Sequence, residues 1–326
     1  DSRFESNDAL MSAVNNISQF VQRRISDDTP TMDARLPDGS RIHVILPPAA
    51  RKGICVDIRK FSKEALTVER LIEYGSMTSS ALEFLGACAG IKKNIVVSGG
   101  TGSGKTSLLN AISSLVPNHE RIIVIEDSAE LQLQQDHILL LESRQADRNG
   151  QGEVSIRDLL KSTLRLRPDR IIIGEIRGGE ALDLLQAMNT GHGGSMGTLH
   201  ANSPLDALTR LETMTLFSGI ELPLKAIRSQ VASAINLIIQ TSRYRDGSRK
   251  ISHISEVLPL DGEGNYRTRD IFRFNQTGMN PEGHILGTLE STGTPPGFAN
   301  ELTLAGYQTI EGLWATDDTN HSGSEN

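Results

Sequence analysis

The sequence predicts an α/β protein: a doubly wound, mostly parallel sheet preceded by a small α+β unit. Three observations predict it. Between Asn94 and Thr215, short apolar runs rich in β-branched residues alternate with segments of helical periodicity, the pattern from which parallel sheets are built. Gly99-Gly-Thr-Gly-Ser-Gly-Lys-Thr106 meets the phosphate-loop pattern G-x-x-x-x-G-K-[ST] at every fixed position and lies between such a strand and such a helix. The first 60 residues read differently, as one helix followed by alternating strands.

Taken in order, residues 7–25 carry Leu10, Val14, Ile17, Val21 and Ile25 at helical spacing. Residues 31–36 and 41–46 read as strands joined by Pro37-Asp38-Gly39-Ser40, a hairpin signal. Residues 54–59 read as a third strand, with Ile54, Val56 and Ile58 on its apolar side. Residues 66–91 are expected to be helical, with Thr67 as a cap and a break at Gly75–Thr78. The later strands are 94–98, 121–126, 138–141, 170–173 and 195–199; the later helices are 107–115, 156–166, 179–188 and 204–215. Residues 145–152 read as a surface loop, and 251–260 with 266–274 as a hairpin. From Asn275 onward Gly, Pro, Thr and Asn accumulate, and the last dozen residues read as disordered.

Sheets of this kind bind ligands outside the carboxyl ends of their strands. The glycine-rich turn is the first such site. Glycines let successive N–H groups converge on one anion, and the helix that follows presents its positive end to it. Gly100, Thr101, Gly102, Ser103, Gly104, Lys105, Thr106 and Ser107 are the expected polyphosphate cradle. In this pattern Lys105 reaches the outer phosphates and the Thr106 hydroxyl ligates Mg²⁺. Ile171-Ile-Ile-Gly-Glu175 puts a carboxylate just past a strand, facing the same Mg²⁺. Ile122-Ile-Val-Ile-Glu126-Asp127 repeats the placement, and a carboxylate there suits orienting or deprotonating water. His192 and His200 bracket a glycine-rich strand and are expected to sense the terminal phosphate. Arg35, Arg41, Arg59, Arg165, Arg167 and Arg177 are further candidates for phosphate contact.

Composition bounds the rest. The chain has 326 residues, 37% hydrophobic and 22% charged, with a net charge of -7. That balance disfavours general nucleic-acid binding. No apolar run reaches the roughly 20 residues that span a bilayer, and no secretory signal opens the chain. Cys55 and Cys88 have no metal-ligand spacing and are expected to be reduced structural thiols of a cytosolic protein. The chain opens on Asp rather than Met, which leads to the expectation of a lost upstream segment.

Several stretches together resemble the ATPases of type II and type IV secretion and type IV pili, and most of all the CpaF-type ATPases of Flp/Tad pilus assembly. They are Asp33–Arg41, Ile58–Phe61, Ser98–Thr106, Ile125–Leu131, Leu166–Arg177 and Gly191–Asn202. The resemblance implies a small N-terminal domain (1–60), a helical linker (61–91), a RecA-like ATPase domain (92–275) and a partly disordered tail (276–326). It also implies ATP and Mg²⁺ as cofactors and a homo-hexameric ring. The ring would be cytoplasmic and peripheral to the inner membrane, acting on a membrane platform protein without direct nucleic-acid contact. Glu126 would be the catalytic base, Glu175 the Mg²⁺ carboxylate, His192 and His200 a histidine box, and Arg41 and Arg59 contacts to the γ-phosphate. Type IV secretion or conjugation ATPases share all these motifs and are the alternative. A DNA translocase and a non-catalytic scaffold are more distant ones.

Overall fold

The computed structural model describes residues 4–60, 66–146 and 150–314. The chain divides after Glu64 into two compact units.

In the smaller unit, helix α1 (Asn7–Phe20) starts at Ser6, whose side chain accepts from the Ala9 amide at 3.1 Å. The helix stops before the expected Ile25. Gln22 adopts the left-handed conformation at φ 53°, and the Arg23 amide bonds back to the Ser18 carbonyl, which closes the last turn. Strands β1 (Thr31–Arg35), β2 (Arg41–Ile45) and β3 (Cys55–Arg59) form an antiparallel sheet. Its first hairpin closes where Asp38-Gly39 predicts, with the Asp38 carboxylate accepting from the Ser40 amide at 3.0 Å. Val14 packs with Met32, Ile42, Val44 and Leu46. Ile58, expected on the apolar side of β3, is instead 46% exposed, while Ile54 and Val56 of that side pack against this core.

The larger unit opens with α2 (Val68–Glu73) and α3 (Ser79–Gly90), capped by Thr67 and Thr78. The parallel part of its sheet consists of β4 (Ile95–Gly99), β5 (Ile122–Glu126), β6 (Ile138–Glu142), β7 (Arg170–Ile173), β8 (Met196–Leu199) and β9 (Leu237–Arg243). The intervening helices are α4 (Lys105–Ser113), α5 (Ile156–Thr163), α6 (Glu180–Asn189), α7 (Pro204–Leu216) and α8 (Leu224–Ala234). Three antiparallel strands, β10 (Arg249–Leu258), β11 (Arg267–Met279) and β12 (Ile285–Ser291), extend the sheet beyond β9. The order is β12-β11-β10-β9-β4-β8-β7-β5-β6. Alternation along β4 shows the double winding: Ile95 and Val97 join a core with Phe84 and Leu109, while Val96 joins one with Leu184, Leu208 and Val231.

Two boundaries expected from the sequence move. The segment expected as a linker, 61–91, contains α3, whose Phe84 and Leu85 are fully buried in the larger unit's core. The expected tail from 276 begins inside β11 and continues through β12, helix α9 (Ala299–Leu304) and a 3₁₀ turn at Gln308–Leu313. Phe298, Leu302 and Ile310 are buried there, and Phe298 stacks 6.4 Å from Phe84. The polar, glycine-rich composition misled because the outer half of β11 and the edge strand β12 are antiparallel and largely exposed, so few of their side chains need be apolar. Disorder expected for the last dozen residues, and the middle of the 145–152 loop, lie outside the described residues.

At the amino edge of the sheet, Arg170 is fully buried. Its guanidinium donates to both Glu120 oxygens, at 2.5 and 3.0 Å, and to the carbonyls of Ala89 and Gly194 at 2.6 and 3.2 Å. Gly194 has φ 79°, and a Cβ there would lie 1.8 Å from Arg170 Nη1. Only glycine fits.

Candidate active site

Strand β4 is buried along its whole length and ends at the glycine-rich turn. A Cβ on Gly99 would lie 2.3 Å from Thr241 Oγ1, so the turn can lie this close to β9 only with glycine there. Gly102 and Gly104 take the left-handed conformation, at φ 70° and 93°. Ser103 Oγ donates to the Gly100 carbonyl at 2.9 Å and lies 2.7 Å from Thr241 Oγ1. The residue before helix α4 is Gly104, which has no side chain to cap the first-turn amides. Those amides and the helix dipole are left for an anion. Lys105 is buried, and its Nζ donates to the Gly100 carbonyl at 3.0 Å. The loop therefore fits a polyphosphate.

Because β4, β8, β7 and β5 are parallel neighbours, their carboxyl ends form one row. Lys105, His200, Glu175 and Glu126 stand along it. Lys105 Nζ is 3.3 Å from His200 Nδ1, and His200 Nε2 is 3.2 Å from Glu175 Oε1. An ammonium has only hydrogens to offer, so Nδ1 accepts and Nε2 carries the proton that Glu175 receives. Burial, helped by the Lys105 charge, lowers the His200 pKa and keeps the ring neutral, although Glu175 pulls the other way. Burial opposes the charge on Glu175. Arg177 first, then His200 and Lys105, overcome it and hold the carboxyl below its ordinary value. Arg177 Nη2 reaches Glu175 Oε2 at 2.6 Å, and Nη1 reaches Asp127 Oδ2 at 3.2 Å.

Glu126 is in a different electrostatic state. It is 4% exposed, and burial pushes its pKa up to about 7. The amides of Glu130 and Leu131, donating to Oε1 at 2.9 and 3.0 Å, work against this, while Glu130 and Glu142 add to it. Oε2 has no hydrogen bond among the described residues. Gly174 makes room for this side chain, since a Cβ there would lie 2.9 Å from Glu126 Cγ. Two neighbouring strand ends thus carry one ionised carboxylate and one poised near neutrality, a pairing suited to separate metal and proton roles. Thr106, next after Lys105 on α4, and the ionised Glu175 are hard-oxygen donors of the kind Mg²⁺ takes.

One expected pair does not come together at this row. His192 precedes β8 and His200 follows it, so the strand holds them roughly 13 Å or more apart. The His192 amide donates to the Ala187 carbonyl at 3.1 Å, and its own carbonyl accepts from Ser195 Oγ at 2.8 Å, beside Asn94 at the amino edge. The parallel sheet puts the two histidines at opposite edges, and only His200 is at the site. Arg41 and Arg59 belong to the smaller unit, where they are register partners, with Arg35 opposite Arg41. Sequence reading also passed over Thr241, which supports the loop, because nothing in the local pattern of β9 marks it. It counted Arg177 only as a phosphate contact, not as the bridge between two acids.

A phosphate loop at the carboxyl end of a central parallel strand, with two acids on adjoining strand ends, defines a phosphate-loop ATPase. The chain belongs to the type II/IV secretion system protein family, whose sequence model matches residues 1–253. It is 35% identical over 266 residues to a Mycobacterium tuberculosis (strain H37Rv) protein named for conjugal transfer, covering 80% of this chain and 75% of that one. It is 35% identical over 268 residues to the type IV secretion system protein VirB11 of Brucella suis, covering 74% of each. The pilus retraction motor PilT, solved with bound ADP, shares the fold at a TM-score of 0.53 and 20% identity, over 95% of this chain and 77% of that one.

Proposed function

We propose that this chain is the ATP-hydrolysing motor subunit of a type IV secretion or conjugation machine. In this reading it works as a homo-hexamer on the cytoplasmic face of a bacterial inner membrane, against a membrane platform protein. The observation that carries the ATPase chemistry is the row Lys105–His200–Glu175–Glu126, with its ionised and near-neutral carboxylates. Lys105 and the amides of the loop neutralise the phosphates. Thr106 and Glu175 would hold Mg²⁺, which would supply charge neutralisation to the phosphates. Glu126 accepts a proton from the water that attacks the γ-phosphorus, and ADP and phosphate leave. His200 reports on Glu175 through its Nε2 proton. Arg41 and Arg59 are assigned to the γ-phosphate, and their adjacent register concentrates positive charge at one end of the small sheet.

Relatives with conjugation and type IV secretion names favour that branch over Flp/Tad pilus assembly, which the CpaF-type resemblance put first. The motifs behind that resemblance are common to both branches. Among the described residues no helix is long and apolar enough to cross a membrane.

The test is steady-state ATPase activity together with mass in solution, with and without Mg-ATP, for wild type and Glu126→Gln. Mg²⁺-dependent turnover that rises with ring formation and disappears in the variant is expected. Undiminished turnover in the variant overturns the base assignment. Loss of plasmid transfer with pili intact, in cells lacking the protein, separates conjugation from pilus assembly.

A further inference from the structure

We infer that the β9–β10 turn forms a second wall of the nucleotide site, in which Arg243 binds the α-phosphate and Arg249 is a positioning residue for the phosphate loop. The inference rests on the ATPase reading above.

Strand β9 pairs with β4 on the side away from β8, and Gly99 stands opposite Thr241. The chain beyond Thr241 therefore runs alongside the glycine-rich loop, on the flank opposite Glu175 and Glu126. Arg243 and Arg249 are register partners at the mouth of this hairpin. Arg249 Nε donates to the Gly102 carbonyl at 2.8 Å, and its Cδ lies 3.3 Å from where a Cβ on Gly104 would stand. The backbone of Arg249 is itself held: its carbonyl accepts from Ser76 Oγ at 2.6 Å, and the amide of Ile251, two residues on, donates to the Ser76 carbonyl at 3.1 Å. A carbonyl turned into the cradle would repel a phosphate; Arg249 ties this one to the hairpin.

Arg243 has no such task. Its side chain is exposed and makes no hydrogen bond or ion pair among the described residues, yet Nη1 is 3.7 Å from the Cβ position of Gly102. The nearby carboxylate of Asp246 is occupied by the amides of Ser248 and Ile285, at 2.9 and 2.7 Å. A nucleotide with its terminal phosphate at Lys105 and Glu175 must direct its α-phosphate and nucleoside away from those acids. The flank that remains is the one Arg243 occupies. A forked guanidinium there matches a phosphate shared by ATP and ADP.

The test compares dissociation constants for ATP and ADP in wild type, Lys105→Ala, Arg243→Gln and Arg243→Lys. Arg243→Gln is expected to weaken both nucleotides by the same factor, about tenfold, the size of one charge-assisted hydrogen bond at a partly exposed site. Arg243→Lys is expected to regain much of that loss. Unchanged affinities, or a loss for ATP alone, overturn the α-phosphate assignment. Wild type that binds neither nucleotide overturns the ATPase reading, and this inference with it. For Arg249, Arg249→Gln is expected to lower kcat/KM with its melting midpoint unchanged, and Arg249→Lys to restore part of it. A fall in kcat/KM that tracks a fall in the midpoint overturns the positioning role.

Discussion

Replacing Glu126 by Gln is expected to stabilise the protein while removing its hydrolysis. The reason is the buried carboxyl. In the unfolded chain Glu126 ionises near its ordinary 4.5; folded, it does so only near 7. Below pH 4.5 both states are protonated and the group is neutral to stability. As pH rises from 4.5 to 7 the unfolded state sheds a proton that the folded state keeps, and stability falls; above 7 the loss is complete. A displacement from 4.5 to about 7 corresponds to roughly 3 kcal/mol, against under about 1 kcal/mol at pH 5. Gln retains the oxygen that accepts from the Glu130 and Leu131 amides and has no charge to desolvate. The assay is thermal or urea denaturation of wild type and Glu126→Gln at pH 5 and pH 8, without nucleotide. The variant is expected to gain little at pH 5 and up to about 3 kcal/mol at pH 8, about 2 to 4 °C for each kcal/mol in a unit of this size. A variant no more stable than wild type at pH 8 refutes the reasoning, because the carboxylate then pays no burial penalty.

Other outcomes follow from the same geometry. Since Glu126 must be ionised to take a proton, kcat/KM for ATP is expected to rise through about pH 7 and level off; a flat profile from pH 6 to 8 counts against it as base. Gly174→Ala would put a methyl group 2.9 Å from Glu126 Cγ, so kcat is expected to fall about tenfold or more with the fold intact by circular dichroism. Arg170→Ala strands the buried Glu120, whose pKa burial would raise were Arg170 and Lys92 not holding it down, and is expected to cost about 3–5 kcal/mol in denaturant titrations. His200→Ala is expected to lower kcat about tenfold or more and His192→Ala to leave it within about twofold, a contrast that steady-state kinetics reads directly.

Much of this molecule was legible in one dimension, for reasons local to the chain. The loop from Gly99 to Thr106 needs particular residues at fixed offsets, because backbone curvature and the helix start are set within eight positions. Strands β4, β5 and β7 are buried on both faces and so read as unbroken apolar runs. The acids Glu126 and Glu175 were found because each directly follows such a run. What the sequence did not carry was set by distant contacts. Strand β12 and the outer half of β11, at the antiparallel end of the sheet, leave many side chains exposed, so their composition imitates a tail. Thr241 meets Ser103 across 138 positions, and Arg249 meets Gly102 across 147. His192 and His200 look equivalent when written in a line, yet a parallel strand places its two ends at opposite edges of the sheet. The pKa difference between Glu126 and Glu175 was likewise decided only by tertiary structure. Both are glutamates at strand ends, but one is enclosed with other acids near it, while the other meets Arg177, His200 and Lys105. Local sequence fixes which chemical groups are present and how the backbone bends; burial and charge depend on what the rest of the chain brings alongside.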